Sequence, residues 1–293
     1  MNQSNWLAQR FEEHRGHLRG VAYRMLGSLS EADDAVQEAW LRLSRVEAET
    51  IQNLSGWLTT VVARVCLDML RSRKSRGEEP LEESAATTVT DKTAGSDPEQ
   101  EVLLADSVGV ALLVVLDRLS PAERLAFVLH DIFAVPFEEI AAIAGRTPEA
   151  VRQLASRARR RVQGVDSAAS ANLSGQREVV EAFLSALRRG DFDGLLAVLD
   201  PDVVVRIDAT AARPGAPREI RGARNWAHGA IAFSQAARFV QPALVDGSVG
   251  LILAPGGKLS RVLRFTISNG KIVDAEIIGD PARLREIDLA VLG

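Results

Sequence analysis

The chain has 293 residues, of which 46% are hydrophobic and 25% charged, with 35 basic against 39 acidic side chains for a net charge of −4. Those proportions exclude a disordered or collagen-like chain, and the length exceeds one compact domain, so two or three are expected. One cysteine, Cys66, excludes a disulfide framework and a cysteine-rich metal site. The start, MNQSNWLAQRFEEHRGHL, has neither the basic opening nor the apolar run of a secretory signal, and no stretch approaches the ~20 apolar residues of a membrane span. A cytoplasmic protein without membrane contact is expected. The near-zero total conceals segregation: arginines crowd 152–161, whereas acids crowd 31–38, 78–83 and 97–106, as for a chain with two differently charged partners.

In chain order, Trp6, Leu7, Phe11, Leu18, Val21, Ala22, Met25 and Leu26 recur at helical spacing and stop at Gly27, a helix terminator. Ser30 before Asp33 predicts a capping box, followed by a helix with Ala32, Ala35, Val36, Ala39, Trp40 and Leu43 on one face. A third helix starts near Ser55 and ends in a basic tail, Arg71 to Arg76. Residues 77–98 hold Gly, Pro, Ser, Thr and acids with almost no large apolar residue, which reads as a linker. Helical pattern resumes at 99–117, and Ser120-Pro121-Ala122-Glu123 supplies a cap, a first-turn proline and a first-turn acid. PFEEIAAIAG and PEAVRQLASRARRRV follow, separated by Gly145-Arg146-Thr147, at the spacing of a helix-turn-helix.

A second linker is expected at 165–175, after which the pattern changes. Two helices are predicted over 176–199 and one over 222–233. DVVVRID, RFVQPALVD, VGLILAP, RVLRFTIS and KIVDAEII read as strands joined by turns. The expected division is a helical unit at 1–76, a linker at 77–98, a helix-turn-helix unit at 99–164, a linker at 165–175 and an α+β unit at 176–293.

On the arginine helix, Val151, Leu154, Ala155, Ala158 and Val162 line one face, while Arg152, Gln153, Ser156, Arg157, Arg159 and Arg160 occupy the rest. Thr147 caps an amino end whose open N–H groups suit a phosphate. Arg and Gln pair two-pronged with guanine and adenine edges. A solvated surface helix is the alternative, but the preceding short helix, the Gly-containing turn and the lack of acids after Glu149 favour docking in a DNA groove.

On the second helix, Asp34, Gln37, Glu38 and Leu41 form a stripe opposite the apolar face. No histidine accompanies them, so a contact surface for a basic protein partner is expected rather than a metal or acid–base site, with a merely solvated face as the alternative. The basic end of the third helix, carrying Arg64, Asp68, Arg71, Arg73, Lys74 and Arg76, suits a nucleic-acid backbone or simply the negative end of its own dipole.

The succession LSEADDAVQEAWLRL, WLTTVVARVCLDMLRSRKSR and LSPAERLAFVLHDIFAVPFEEIAAIAGRTPEAVRQLASRARRRV closely resembles the extracytoplasmic-function class of bacterial RNA polymerase sigma factors over about residues 8–163. The resemblance implies promoter DNA and core RNA polymerase as partners. Asp33, Asp34, Gln37, Glu38 and Leu41 would meet the β′ coiled coil of the polymerase, and the β flap would be contacted as well. Asn53 in the loop at 46–56, with Arg64, Asp68, Arg71, Arg73 and Lys74, would open and read the −10 element, with capture of an unstacked base. Arg146, Thr147, Glu149, Arg152, Gln153, Ser156, Arg157 and Arg160 would read the −35 element.

The final unit resembles the SnoaL-like branch of the NTF2-like fold, found as a regulatory extension in one subgroup of these sigma factors. GDPARL at 279–284 stands where that subgroup has Asn-Pro-Asp-Lys-Leu, and Asp208-Ala209-Thr210-Ala211 where Asp-Gly-Gly-Gly is common. Such folds enclose a cavity, for which Arg206, Asp208, Trp226 and His228 are candidates, as ligand-sensing or, less favoured, catalytic residues. The expected protein is not an enzyme and has no cofactor or metal; the rival is a ligand-responsive helix-turn-helix regulator acting without polymerase.

Overall fold

The computed structural model describes residues 3–46, 51–76, 109–164, 170–212 and 218–292, and these form helical regions followed by an α+β unit, as expected. The linker expected at 77–98 lies outside them. By its contacts the chain falls into two compact units: residues up to 108 with 116–159, and 109–115 with 160–293.

In the first unit, α1 (Gln3–Leu26) buries Phe11, Leu18, Val21, Ala22, Met25 and Leu26. It ends where Gly27 takes φ 75°, a left-handed conformation that glycine adopts without penalty, and donates its N–H to Tyr23 O at 2.8 Å. Helix α2 (Leu29–Leu43) buries the expected apolar face, but its cap position is Ser28, whose hydroxyl accepts no first-turn N–H and instead lies 3.0 Å from the Ser30 hydroxyl. The capping box expected from Ser30 and Asp33 does not form because Ser30 is already inside the helix. Helix α3 (Leu54–Arg76) is entered through Asn53, whose side-chain oxygen accepts the Gly56 N–H at 3.0 Å. Leu58, Val61, Val62, Val65, Leu67 and Leu70 are buried, whereas Trp57 is only partly covered.

After α4 (Val110–Asp117), which crosses from one unit to the other, come α5 (Pro121–Phe127), one π-helical turn (Val128–Ile132), α6 (Phe137–Ala144) and α7 (Pro148–Gln163). The Ser120 and Glu123 capping box is complete. Every residue of α5 from Glu123 to Phe127 is buried. Five successive helical residues can be covered only by walls from two directions: the π turn and α6 supply one, and α3 supplies the other. The described parts of the two helical regions are therefore in contact within the first unit.

The second unit holds α8 (Ser170–Arg189), α9 (Phe192–Val198), β1 (Leu199–Ile207), β2 (Glu219–Arg221), α10 (Ala223–Ile231), β3 (Val240–Val245), β4 (Ser248–Leu253), β5 (Arg261–Ser268), β6 (Lys271–Ile278), α11 (Pro281–Glu286) and β7 (Leu289–Ala290). Part of the linker expected at 165–175 is the start of α8, because Leu173 packs against the core and draws the helix back to Ser170. The sheet order is β2-β1-β6-β5-β4-β3-β7, with β1 and β6 parallel and the other pairs antiparallel. Strands β5 and β6 match RVLRFTIS and KIVDAEII; β2 and β7, at three and two residues, are too short for alternation to reveal.

The core is a cluster of rings. Phe183 of α8 meets Trp226 of α10 at 5.1 Å and Phe265 of β5 at 5.6 Å between centroids, among Leu195, Val203, Val205 and Leu251. Truncating any one ring costs about 3–5 kcal/mol.

Cys66 lies buried on α3, and burial pushes its thiol up to about 12. At neutral pH the reactive thiolate is therefore scarce. Thiol reagent at pH 7.5 is expected to leave the native chain unmodified while labelling the urea-unfolded chain stoichiometrically; fast native labelling would show that the α3 core opens.

Candidate nucleic-acid interface

Helix α6 ends at Gly145, in the left-handed region at φ 66°, and the Arg146 N–H returns to Ala141 O at 3.0 Å. This turn starts α7 almost at once, and the Thr147 hydroxyl accepts the Ala150 N–H at 3.3 Å, as expected of a cap. Hydrogen bonds from its own N–H and from Thr147 hold the exposed Glu149 carboxyl below its ordinary range, with Arg152 adding to the effect. Val151, Leu154, Ala155, Ala158 and Val162 are buried, and Arg146, Gln153 and Arg160 are exposed.

Three arginines of α7 reach back to acids on three preceding elements. Arg152 places Nη2 3.1 Å from Glu138 of α6 and Nη1 3.5 Å from Glu149, and lies 5.4 Å over the Phe137 ring, itself stacked at 3.7 Å on His130. Arg157 places Nε 3.5 Å from Glu123 of α5. Arg159 pairs through Nε with Asp131 of the π turn. The paucity of acids after Glu149 is real along the helix but not in space.

On α3, Asp68 and Arg71 are exposed and 3.8 Å apart, and Lys74 is exposed. Asn53 is the helix cap. Arg73 is engaged, pairing with Glu31 of α2 and donating to Leu26 O at 3.4 Å, and Arg64 donates to Ala142 O of α6 at 3.3 Å. On α2, Asp33 is gripped by Arg19, with Nε 2.8 Å from one carboxylate oxygen and Nη2 3.1 Å from the other, and Glu38 pairs with Arg42 at 2.8 Å. Asp34, Gln37 and Leu41 face solvent, Leu41 being 41% exposed. A groove of about 310 Å³ between α1 and α2 is lined by Phe11, Val36, Gln37 and Trp40.

Sequence reasoning missed Arg124. This α5 residue is 2% exposed; its Nε donates to Arg24 O at the end of α1 at 3.1 Å, and its Nη1 to Asp117 at 3.2 Å. Burial pushes the guanidinium below its ordinary range and Asp117 pulls it back. It lies on no polar face, so periodicity carries no sign of it.

The four residues expected to line a cavity do not converge. Arg206 is on the opposite side of β1 from Val205, paired with Asp274 at 2.8 Å. Trp226 is in the ring core, and His228 sits against Phe192 at 4.6 Å between ring centroids. Asp208 ties a loop: it accepts N–H bonds from Ala211, Gly279 and Asp280 at 2.7–2.8 Å and the Thr210 hydroxyl at 2.8 Å. Partial burial raises its carboxyl, but those four bonds outweigh it and hold the group below the usual carboxylate range. A groove of about 340 Å³ in this unit is lined elsewhere, by Leu196, Pro201, Asn225 and Lys271 among others. Among the described residues no cluster of three or more His, Cys, Asp or Glu could hold a metal, and no helix is long and apolar enough to cross a membrane.

The sigma-70 region 2 family model matches residues 10–76, and the sigma-70 region 4 model residues 109–162. The probable ECF RNA polymerase sigma factor SigI of Mycobacterium tuberculosis is 37% identical over 287 residues, 97% of both chains. The ECF RNA polymerase sigma factor SigJ of the same species is 38% identical over 290 residues, covering 92% of this chain and 91% of that one. The crystal structure of the M. tuberculosis extracytoplasmic function sigma factor SigJ is similar over 97% of this chain and 98% of that one, at 32% identity and TM-score 0.43.

Asp208→Ala is expected to cost about 2 kcal/mol at pH 7, the worth of hydrogen bonds to a charged acceptor. Because the folded carboxyl sits below its unfolded value of ~3.9, that stability is present above pH 4 and fades as pH falls through the folded value. Amide exchange in β1 and β6 of both proteins across pH measures it; a difference that grew on acidification would overturn the assignment.

Proposed function

The chain belongs to the extracytoplasmic-function sigma factors of RNA polymerase, and from that premise we propose how its residues divide the work. A sigma factor binds core polymerase and directs it to promoters. Here α7 reads the −35 element: what carries this reading is an arginine-rich helix with a capped, solvent-facing amino end, set by a tight glycine turn behind α6. Arg146 and Arg160, exposed and outside the ion pairs of the helix, supply phosphate contacts; Thr147, Glu149, Arg152, Gln153, Ser156 and Arg157 face or flank the groove.

The −10 element falls to α3 and the loop before it, where Asp68, Arg71 and Lys74 present an open polar surface and Asn53 sets the helix start. Arg64 and Arg73, bound to backbone carbonyls in the free chain, exchange those acceptors for DNA. Asp34, Gln37 and Leu41 meet the β′ coiled coil, with Asp33 and Glu38 steadied by Arg19 and Arg42, and the region 4 helices meet the β flap. The chemistry is binding throughout. The α+β unit modulates output through its packed surface, since the candidates for a ligand cavity are spent on the core, a loop tie and surface pairs.

Transcription with core polymerase tests this. Asp34→Lys should weaken core binding about tenfold without lowering Tm, because the residue is exposed. Arg160→Ala should weaken holoenzyme binding evenly across promoters and reduce the slope of log affinity against log salt by about one. Removal of 166–293 should change transcript yield from the same promoter. Full-length chain that folds, yet gives no specific transcript with active core enzyme, would overturn the reading.

A further inference from the structure

We infer that Glu123, from behind the helix, orients Arg157 as a two-pronged reader of one guanine in the −35 element; the inference rests on the assignment of α7 to that element. Glu123 is 6% exposed. One carboxylate oxygen accepts the Ser120 N–H at 3.1 Å and the Ser120 hydroxyl at 2.7 Å, while the Glu123 N–H donates to the Ser120 hydroxyl at 3.4 Å. Those bonds fix the carboxylate. Its other oxygen lies 3.5 Å from Nε of Arg157, whose side chain remains 52% exposed.

The atom used decides the consequence. A carboxylate on Nε restrains the guanidinium and leaves both Nη groups for a pair of acceptors such as guanine O6 and N7. Arg152 is engaged the other way: its two Nη groups already meet Glu149 and Glu138, so its fork is occupied. Arg159 also meets its acid through Nε, but it projects from the opposite flank of the outward stripe of Glu149, Gln153, Ser156 and Arg160 and is less exposed, 39% against 52% for Arg157. Arg157 lies one turn beyond Gln153, on the edge of that stripe.

Charge separates the two targets an arginine could take. Glu123 cancels much of the attraction of Arg157 for a phosphate, which responds to net charge, whereas a base edge is a neutral dipole that rewards orientation. Holding the fork in place before contact removes part of the side-chain entropy cost of ordering it. Glu123 is thus a positioning residue that acts through Arg157.

The test uses holoenzyme assembled with the full chain on promoters in which each −35 base pair is changed in turn, with wild type, Glu123→Gln, Arg157→Lys and Ser120→Ala. Wild type should prefer guanine at one position by about tenfold. Glu123→Gln and Arg157→Lys, which keep size and charge respectively, should both flatten that preference and no other. Ser120→Ala should lower Tm and blunt the same preference less than Glu123→Gln does, because it removes the 2.7 Å bond but leaves the Ser120 N–H on the carboxylate. Equal loss at every sequence in Arg157→Lys would make it a phosphate contact and overturn the inference, as would a Glu123→Gln protein that keeps the guanine preference. Should Glu123→Gln fail to fold, Arg157→Lys decides alone: flattening at one position supports the inference, and an intact profile ends it. Wild type indifferent to every −35 change would instead bring down the assignment of α7.

Discussion

Two adjacent ionisable residues, Glu123 and Arg124, are buried in a helix of seven residues, and the first unit is organised around satisfying them. A buried charge is tolerated only when paired and hydrogen-bonded. Successive residues on a helix point about 100° apart, so the two cannot share one solution. Glu123 turns to its own cap and to Arg157 on α7; Arg124 turns to the Arg24 carbonyl near the end of α1 and to Asp117. One short helix thereby fixes both the orientation of α7 and the packing of the first helical region on the second. Removing Asp117 or Arg157, the exposed partners, would leave a buried ionisable group short of its partner, which is costlier than losing an exposed pair.

This pattern explains what the sequence concealed. The face of α7 was legible because one side meets a core and the other meets water, so Val151, Leu154, Ala155, Ala158 and Val162 stand out. Helix α5 has no wet side, and a helix covered all round gives no contrast to read. Its cap was legible, since Ser120 and Glu123 are local; its partners, tens of residues distant, were not. The same holds for the arginines of α7, whose acids come from α5, the π turn and α6.

The α+β unit shows the opposite error, in which available pattern was overridden by residue type. Along β1, Val203 and Val205 point inward, so strict alternation places Arg206 on the other side, where it meets Asp274 of the parallel neighbour β6. Arginine, aspartate, tryptophan and histidine attract a functional reading, yet alternation alone removes the first of them. Asp208 belongs with β6 and the turn after it because β1 and β6 are neighbours, a pairing across more than sixty residues that local pattern does not reveal. Trp226 packs on Phe183, which itself meets Phe265, so the ring cluster is what holds the helices on that face of the sheet.

The acids around α7 also resolve how a chain of net charge −4 can act on DNA. Glu123, Asp131, Glu138 and Glu149 lie within a few ångströms of Arg152, Arg157 and Arg159, well inside the ~10 Å over which salt screens charge. The helix therefore projects a weaker field than its arginine content implies. Non-specific binding, which grows with each phosphate neutralised, is held down, whereas contacts that depend on orientation are retained. For a protein delivered to DNA on polymerase this is the useful balance: the enzyme brings the affinity, and a partly neutralised helix is free to discriminate among sequences instead of adhering to all of them.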